Sequence, residues 1–161
     1  MSHYPKRTLI VEDNKADARL SRDILERHGY ETLQTGDGWE AINLALAHLP
    51  ALILMDLQLP EISGLEVTRR LRGDQRSRHI PIVAVTAFAM GWHKREALDS
   101  GCDAYIGKPI SILGFLSTVE SFLPRFLHCP ALRFSAESCN DDNDHLALCA
   151  LWLPRYFRRF A

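Results

Sequence analysis

The chain has no apolar run approaching the roughly 20 residues needed to cross a bilayer. Only the short TLIV run follows the weakly basic MSHYPKR, which is too little for the apolar segment of a signal peptide. Its four cysteines, Cys102, Cys129, Cys139 and Cys149, form no C-x-x-C or zinc-like spacing. Free thiols in a reducing, cytoplasmic setting are therefore expected. Strong charge is missing as well. The net charge is −1 in 161 residues, so nothing global points to nucleic acid or membrane. No G-x-G-x-x-G follows the first apolar run and no G-x-x-x-x-G-K-[ST] occurs, which argues against a dinucleotide fold and a P-loop enzyme. What remains is ordinary globular material, 47% hydrophobic and 24% charged, enough for one domain with a real core.

The hydrophobic period alternates regularly as far as Leu123. RTLIVE, ETLQT, ALILM, IPIVAVT and DAYIG read as five strands. ALILM and IVAV are apolar throughout, as strands covered on both faces must be. Helical spacing covers Lys15 to His28, with Ala16, Leu20, Ile24 and Leu25 apolar and Gly29 as the stop. It recurs from Gly38 to His48, with Ala41, Ile42, Ala45 and Leu49 on one face. Leu65 to Leu71, His93 to Ser100 and Ile112 to Leu123 complete the set. Five βα units predict an α/β fold, a doubly wound parallel sheet with the flavodoxin-like strand order 2-1-3-4-5. The domain is expected over residues 1–123. Residues 124–161 lose the alternation and carry DDND, HLALCALWLP and RYFRRF. They read as a C-terminal extension, in which Asp141 to Asp144 can cap a short helix through Trp152.

Polar groups mark the end of each buried run: Glu12-Asp13, Asp56, Thr86 and Lys108-Pro109. In an open α/β sheet that is the edge where ligands bind. Singly, each has a plain explanation. Glu12-Asp13 suits a helix cap, Asp56 a capping residue of the turn LQLPEISG, Thr86 a β-branched strand residue, and Lys108 a solvated loop lysine. Together they suit a hard divalent cation beside a phosphoryl group. Mg²⁺ takes oxygen ligands and keeps several waters, so one of the Glu12-Asp13 carboxylates with Asp56 could hold it, the other acting through water. Asp56 could act as a nucleophile toward phosphorus. Thr86 could donate its hydroxyl, and Lys108 could supply a point charge. Pro109 is a candidate cis-proline that would aim the lysine inward. Gln58, two residues after Asp56, counts against phosphatases built on an aspartate pair at that spacing.

The segments LIVEDN, ILMDLQLPEISGLEV, IVAVTAFAM and CDAYIGKPIS, spanning residues 7 to 123, resemble receiver domains of bacterial two-component response regulators. The resemblance is closest to DivK-type single-domain receivers. It implies Asp56 as phosphoacceptor and an acidic pocket of Glu12, Asp13 and Asp56 for Mg²⁺ or Mn²⁺. The Gln58 backbone carbonyl would be a further ligand, and Thr86 and Lys108 would contact the phosphoryl group. Tyr105 matches an aromatic switch position that moves with Thr86, and Phe88, Met90 and Trp92 fall in or next to the loop expected to rearrange. The implied partners are a sensor histidine kinase or histidine phosphotransfer protein, docking on helix 1 at Lys15, Ala18, Arg19 and Arg22, and a downstream protein target. Nucleic acid and a membrane span are not expected. Gly107 stands where the closest pattern has Ser, GWHKREALDSG is less acidic than that subfamily, and the tail from Pro124 has no counterpart. Two other readings keep the fold: an interaction module that signals without phosphorylation, and a receiver cut from a hybrid kinase.

Overall fold

The computed structural model describes residues 7–87 and 91–123, without the side chains of 91–93. Ten elements alternate among the described residues: β1 (Arg7–Val11), α1 (Lys15–Arg27), β2 (Glu31–Thr35), α2 (Gly38–His48), β3 (Leu52–Asp56), α3 (Gly64–Gly73), β4 (Ile82–Thr86), α4 (Gly91–Asp99), β5 (Ala104–Gly107) and α5 (Ile112–Phe122). All strand pairs are parallel, in the order β2-β1-β3-β4-β5. The doubly wound fold and its strand order are therefore as the sequence predicts. The tail after Leu123, with its DDND cap and HLALCALWLP stretch, lies outside the described residues, as do Phe88 and Met90.

Burial follows from where each strand lies. β3 and β4 are buried at every position, whereas the edge strand β2 buries only Thr35. Alternate residues of the inner strands face opposite sides. Leu9, Val11, Ile53, Met55, Ile82 and Ala84 pack with Ala41, Ala45, Val67, Leu71 and Ala97 of α2, α3 and α4. Ile10, Leu52, Leu54, Val83, Val85 and Ile106 pack with Ile24, Leu25, Phe115, Leu116 and Val119 of α1 and α5. Phe115 is fully buried, a contribution of about 2–3 kcal/mol to seating α5.

Helix starts are set by caps. Asn14 accepts hydrogen bonds from the Ala16 and Asp17 N–H groups, and Asp37 from those of Trp39 and Glu40. Ser63 accepts from the Glu66 N–H, so α3 begins at Gly64, a residue before the first apolar position. Gly29 adopts φ +80 after α1, a backbone state glycine enters without a Cβ penalty.

Two helix faces differ from the sequence reading. On α1 the buried residues are Ser21, Ile24 and Leu25, while Ala16 and Leu20 are exposed. The inward stripe is narrower than the apolar one, and it closes over a serine. Leu49 does not belong to the buried face of α2. It caps that helix in the left-handed conformation and stands 49% exposed.

Candidate functional site

Strand order brings the ends of β1, β3, β4 and β5 together at the C-terminal edge of the sheet. Glu12 continues β1, its N–H donating to the Thr35 carbonyl at 2.9 Å. Asp56 is the last residue of β3 and Thr86 the last of β4. Lys108 follows β5 directly, its N–H bonded to the Thr86 carbonyl at 2.9 Å, and the Lys108–Pro109 peptide bond is cis. Glu12, Asp56 and Thr86 are all buried. Buried charges need partners or a function.

The partner is the Lys108 ammonium. Its Nζ donates to Glu12 Oε2 at 2.7 Å and to Asp56 Oδ2 at 2.8 Å. A third carboxylate, Asp17 Oδ2 in the first turn of α1, lies 3.1 Å from the same nitrogen. The other Asp56 oxygen, Oδ1, accepts the Gln58 N–H at 2.8 Å, which fixes the rotation of the carboxylate. Glu12 Oε1 accepts the Asn14 N–H at 3.2 Å. Asp13 is exposed at the mouth, yet one oxygen each from Glu12, Asp13 and Asp56 lie within 4.8 Å of one another.

One ammonium among four acids leaves the cluster short of positive charge. Burial, joined by repulsion from Asp56 and opposed by Lys108, pushes the Glu12 carboxyl up to about 7. Burial would lower the Lys108 pKa, but the hydrogen bonds to Asp56, Glu12 and Asp17 outweigh it and hold the ammonium well above its ordinary value. Three converging oxygen donors with a deficit of cation fit a hard divalent ion.

Thr86 and Tyr105 share a sheet face. Ala84 is in register with Tyr105, and Thr86 lies two residues beyond Ala84, so both point to the side covered by α2, α3 and α4. Tyr105 packs at the margin of that core, and burial raises its phenol pKa. Gln58 is exposed in the loop after β3. Trp92 falls in α4, but its side chain is not among those described, and Phe88 and Met90 lie outside the described residues.

A family model for the response regulator receiver domain matches residues 8–120. The chain belongs to that family. It is 54% identical over 119 residues to the polar-differentiation response regulator DivK of Brucella anthropi, covering 74% of this chain and 97% of the relative. Among solved structures it resembles the receiver domain of a sensor histidine kinase from Pseudomonas aeruginosa, which has a magnesium ion coordinated in its active-site cleft. The TM-score is 0.70 and the identity 28%, over 74% of this chain and 98% of that one. A phosphorylated cyanobacterial phytochrome response regulator, RcpA, is similar at a TM-score of 0.63 and 28% identity, over 74% and 94% of the two chains.

Sequence reasoning missed Asp17 at this receiver site. An acidic residue in a first helical turn is explained by the helix dipole alone.

Proposed function

We propose that this receiver domain, spanning residues 1–123 with a C-terminal extension over 124–161, takes a phosphoryl group onto Asp56 from a phosphohistidine of a sensor kinase or phosphotransfer protein. The observation that carries this reading is the buried Asp56 carboxylate held between the Gln58 N–H and the Lys108 ammonium. An Asp56 oxygen attacks phosphorus in line. The P–N bond breaks, and its electron pair stays on the donor imidazole nitrogen. Gln58 N–H orients the acceptor, Thr86 donates its hydroxyl to a phosphoryl oxygen, and Lys108 turns from the carboxylate toward the incoming charge. Such catalysis is mainly positioning and electrostatics. Glu12, Asp13, Asp56 and the Gln58 backbone carbonyl would hold Mg²⁺ or Mn²⁺. When bound, such an ion neutralises charge on the transferring group.

The modified aspartate carries a charge near −2. Thr86 and Tyr105 then shift together on their shared face and bias the face of β4, α4, β5 and α5 toward a second arrangement, which changes binding to a protein target. Helix α1 offers the kinase-docking surface, with Lys15 and Arg19 exposed and Ala18 and Arg22 half-buried. We place the protein in the cytoplasm, as a signalling protein acting in division or polarity control; the DivK relatives are named for polar differentiation. No helix among the described residues is long and apolar enough to cross a membrane.

Incubation with acetyl phosphate and Mg²⁺, followed by intact mass, tests the central step. The wild type gains one phosphoryl group and Asp56→Asn gains none. Absence of labelling in the wild type from acetyl phosphate and from a kinase donor alike would sink the reading and favour a phosphorylation-independent module.

A further inference from the structure

The geometry points to Asp17 as a positioning residue for Lys108, one that keeps the ammonium at the mouth of the pocket while the other two carboxylates are otherwise engaged. This rests on Asp56 being the phosphoacceptor. An ammonium has three N–H bonds, and three carboxylates lie within reach of this one: Glu12 and Asp56 accept at 2.7 Å and 2.8 Å, and an Asp17 oxygen lies 3.1 Å away. The three acids are not equivalent. Glu12 and Asp56 belong to the trio whose oxygens converge on a cation site, and Asp17 does not. A divalent ion held by that trio would share the Glu12 and Asp56 carboxylates with Lys108. Phosphorylation then removes Asp56 as a free carboxylate. Asp17 alone keeps its oxygens through both events.

The lysine needs such a hold. It is a compact charge on a flexible four-carbon stem, unlike the rigid guanidinium of arginine. A donor already held at the mouth of the pocket has only a short turn to make toward the developing charge, so little reorganisation is needed during reaction. Asp17 is fitted to supply that hold from the side. It sits on the first turn of α1, where the Asn14 cap accepts its N–H at 3.4 Å. Its side chain is 34% exposed against 14% for Lys108, so it approaches from the solvent side. The ordinary role of a first-turn acid, stabilising the helix start, explains its presence but not its contact with a lysine on another element.

Two measurements on the full chain test this. In the first, phosphorylation by acetyl phosphate is followed across Mg²⁺ concentrations. Asp17→Asn should lower the rate at saturating Mg²⁺ by about fivefold, the scale of one charge-assisted hydrogen bond partly open to water. Asp17→Glu should recover part of the loss, and in a Lys108→Gln background Asp17→Asn should have no further effect. The second measurement uses metal-free protein and no phosphoryl donor. Trace acetylation of Lys108 by acetic anhydride, read by peptide mass spectrometry, should rise several-fold in Asp17→Asn. A change confined to the Mg²⁺ dependence with the saturated rate intact, a faster saturated rate, the same loss in the Lys108→Gln background, or unaltered Lys108 acetylation would each overturn the proposal. A wild type that takes no phosphoryl group would instead fail the functional reading, and the acetylation result would still stand.

Discussion

Each edge of the sheet carries a partly buried ion pair, and the two are built on opposite principles. At the N-terminal edge, Arg72 from the last turn of α3 places four of its five N–H donors. Its guanidinium donates to the carbonyls of Gly101 at 2.8 Å, Arg78 at 2.9 Å and Ile80 at 2.7 Å, and to Asp103 Oδ2 at 2.7 Å. That same Asp103 oxygen also accepts the Ile82 N–H at 2.9 Å, which ties the starts of β4 and β5 together. One cation meets one anion. At the C-terminal edge one ammonium serves Glu12, Asp56 and Asp17, with Asp13 nearby. A satisfied buried pair holds structure, whereas a cluster left with surplus charge is ready for a further cation or a reacting group.

Breaking the N-terminal pair should give the larger loss of stability. Arg72→Met strands Asp103 and frees three carbonyls, and should cost about 3 kcal/mol in urea unfolding whether or not Mg²⁺ is present. Acetyl phosphate should still label the folded fraction. A loss of labelling beyond the unfolded fraction would join the two edges functionally and break the contrast. Lys108→Met should cost less, about 1–2 kcal/mol, because Glu12 can take up a proton and relieve the cluster. Here Mg²⁺ should restore most of the stability while phosphorylation stays slow. A cost that Mg²⁺ leaves untouched would mean that the lysine is structural in the same sense as Arg72.

The smallest effect is in the pH profile. A carboxyl whose folded pKa lies above its unfolded value favours the fold while protonated. Glu12, raised from 4.5 to about 7, therefore contributes fully below pH 4.5, and that contribution is gone above about 7. Metal-free protein should weaken across that window with a slope no steeper than about 1.4 kcal/mol per pH unit. Glu12→Gln should flatten the slope, and an unchanged slope would assign it to another group.

The fold was legible because its signals are local. Buried parallel strands read as apolar runs, and β3 and β4 do up to their last residues, Asp56 and Thr86. Asp56 was legible for the converse reason, as a charge closing an apolar strand. Less legible were contacts whose meaning depends on a distant partner. Arg72 finds Asp103 31 residues on, and no periodicity announces it. Asp17 reads as a helix-start acid until the strand order brings Lys108 to it. Leu20 and Leu49 fit an apolar stripe by spacing, but Leu20 lies outside the narrow inward face of α1 and Leu49 is the left-handed cap of α2.

Gly64 gives the acceptor a mechanical setting. A Cβ there would lie 2.1 Å from the Asp56 carbonyl oxygen, and the Gly64 N–H is bonded to the Leu57 carbonyl at 3.1 Å. The first turn of α3 thus bears directly on the backbone of the acceptor. With α3 braced behind it, Asp56 works as a fulcrum rather than a lever. On the proposed reading, a group added to its side chain would have little room to push Asp56 back, and the displacement would go forward, toward β4 and β5.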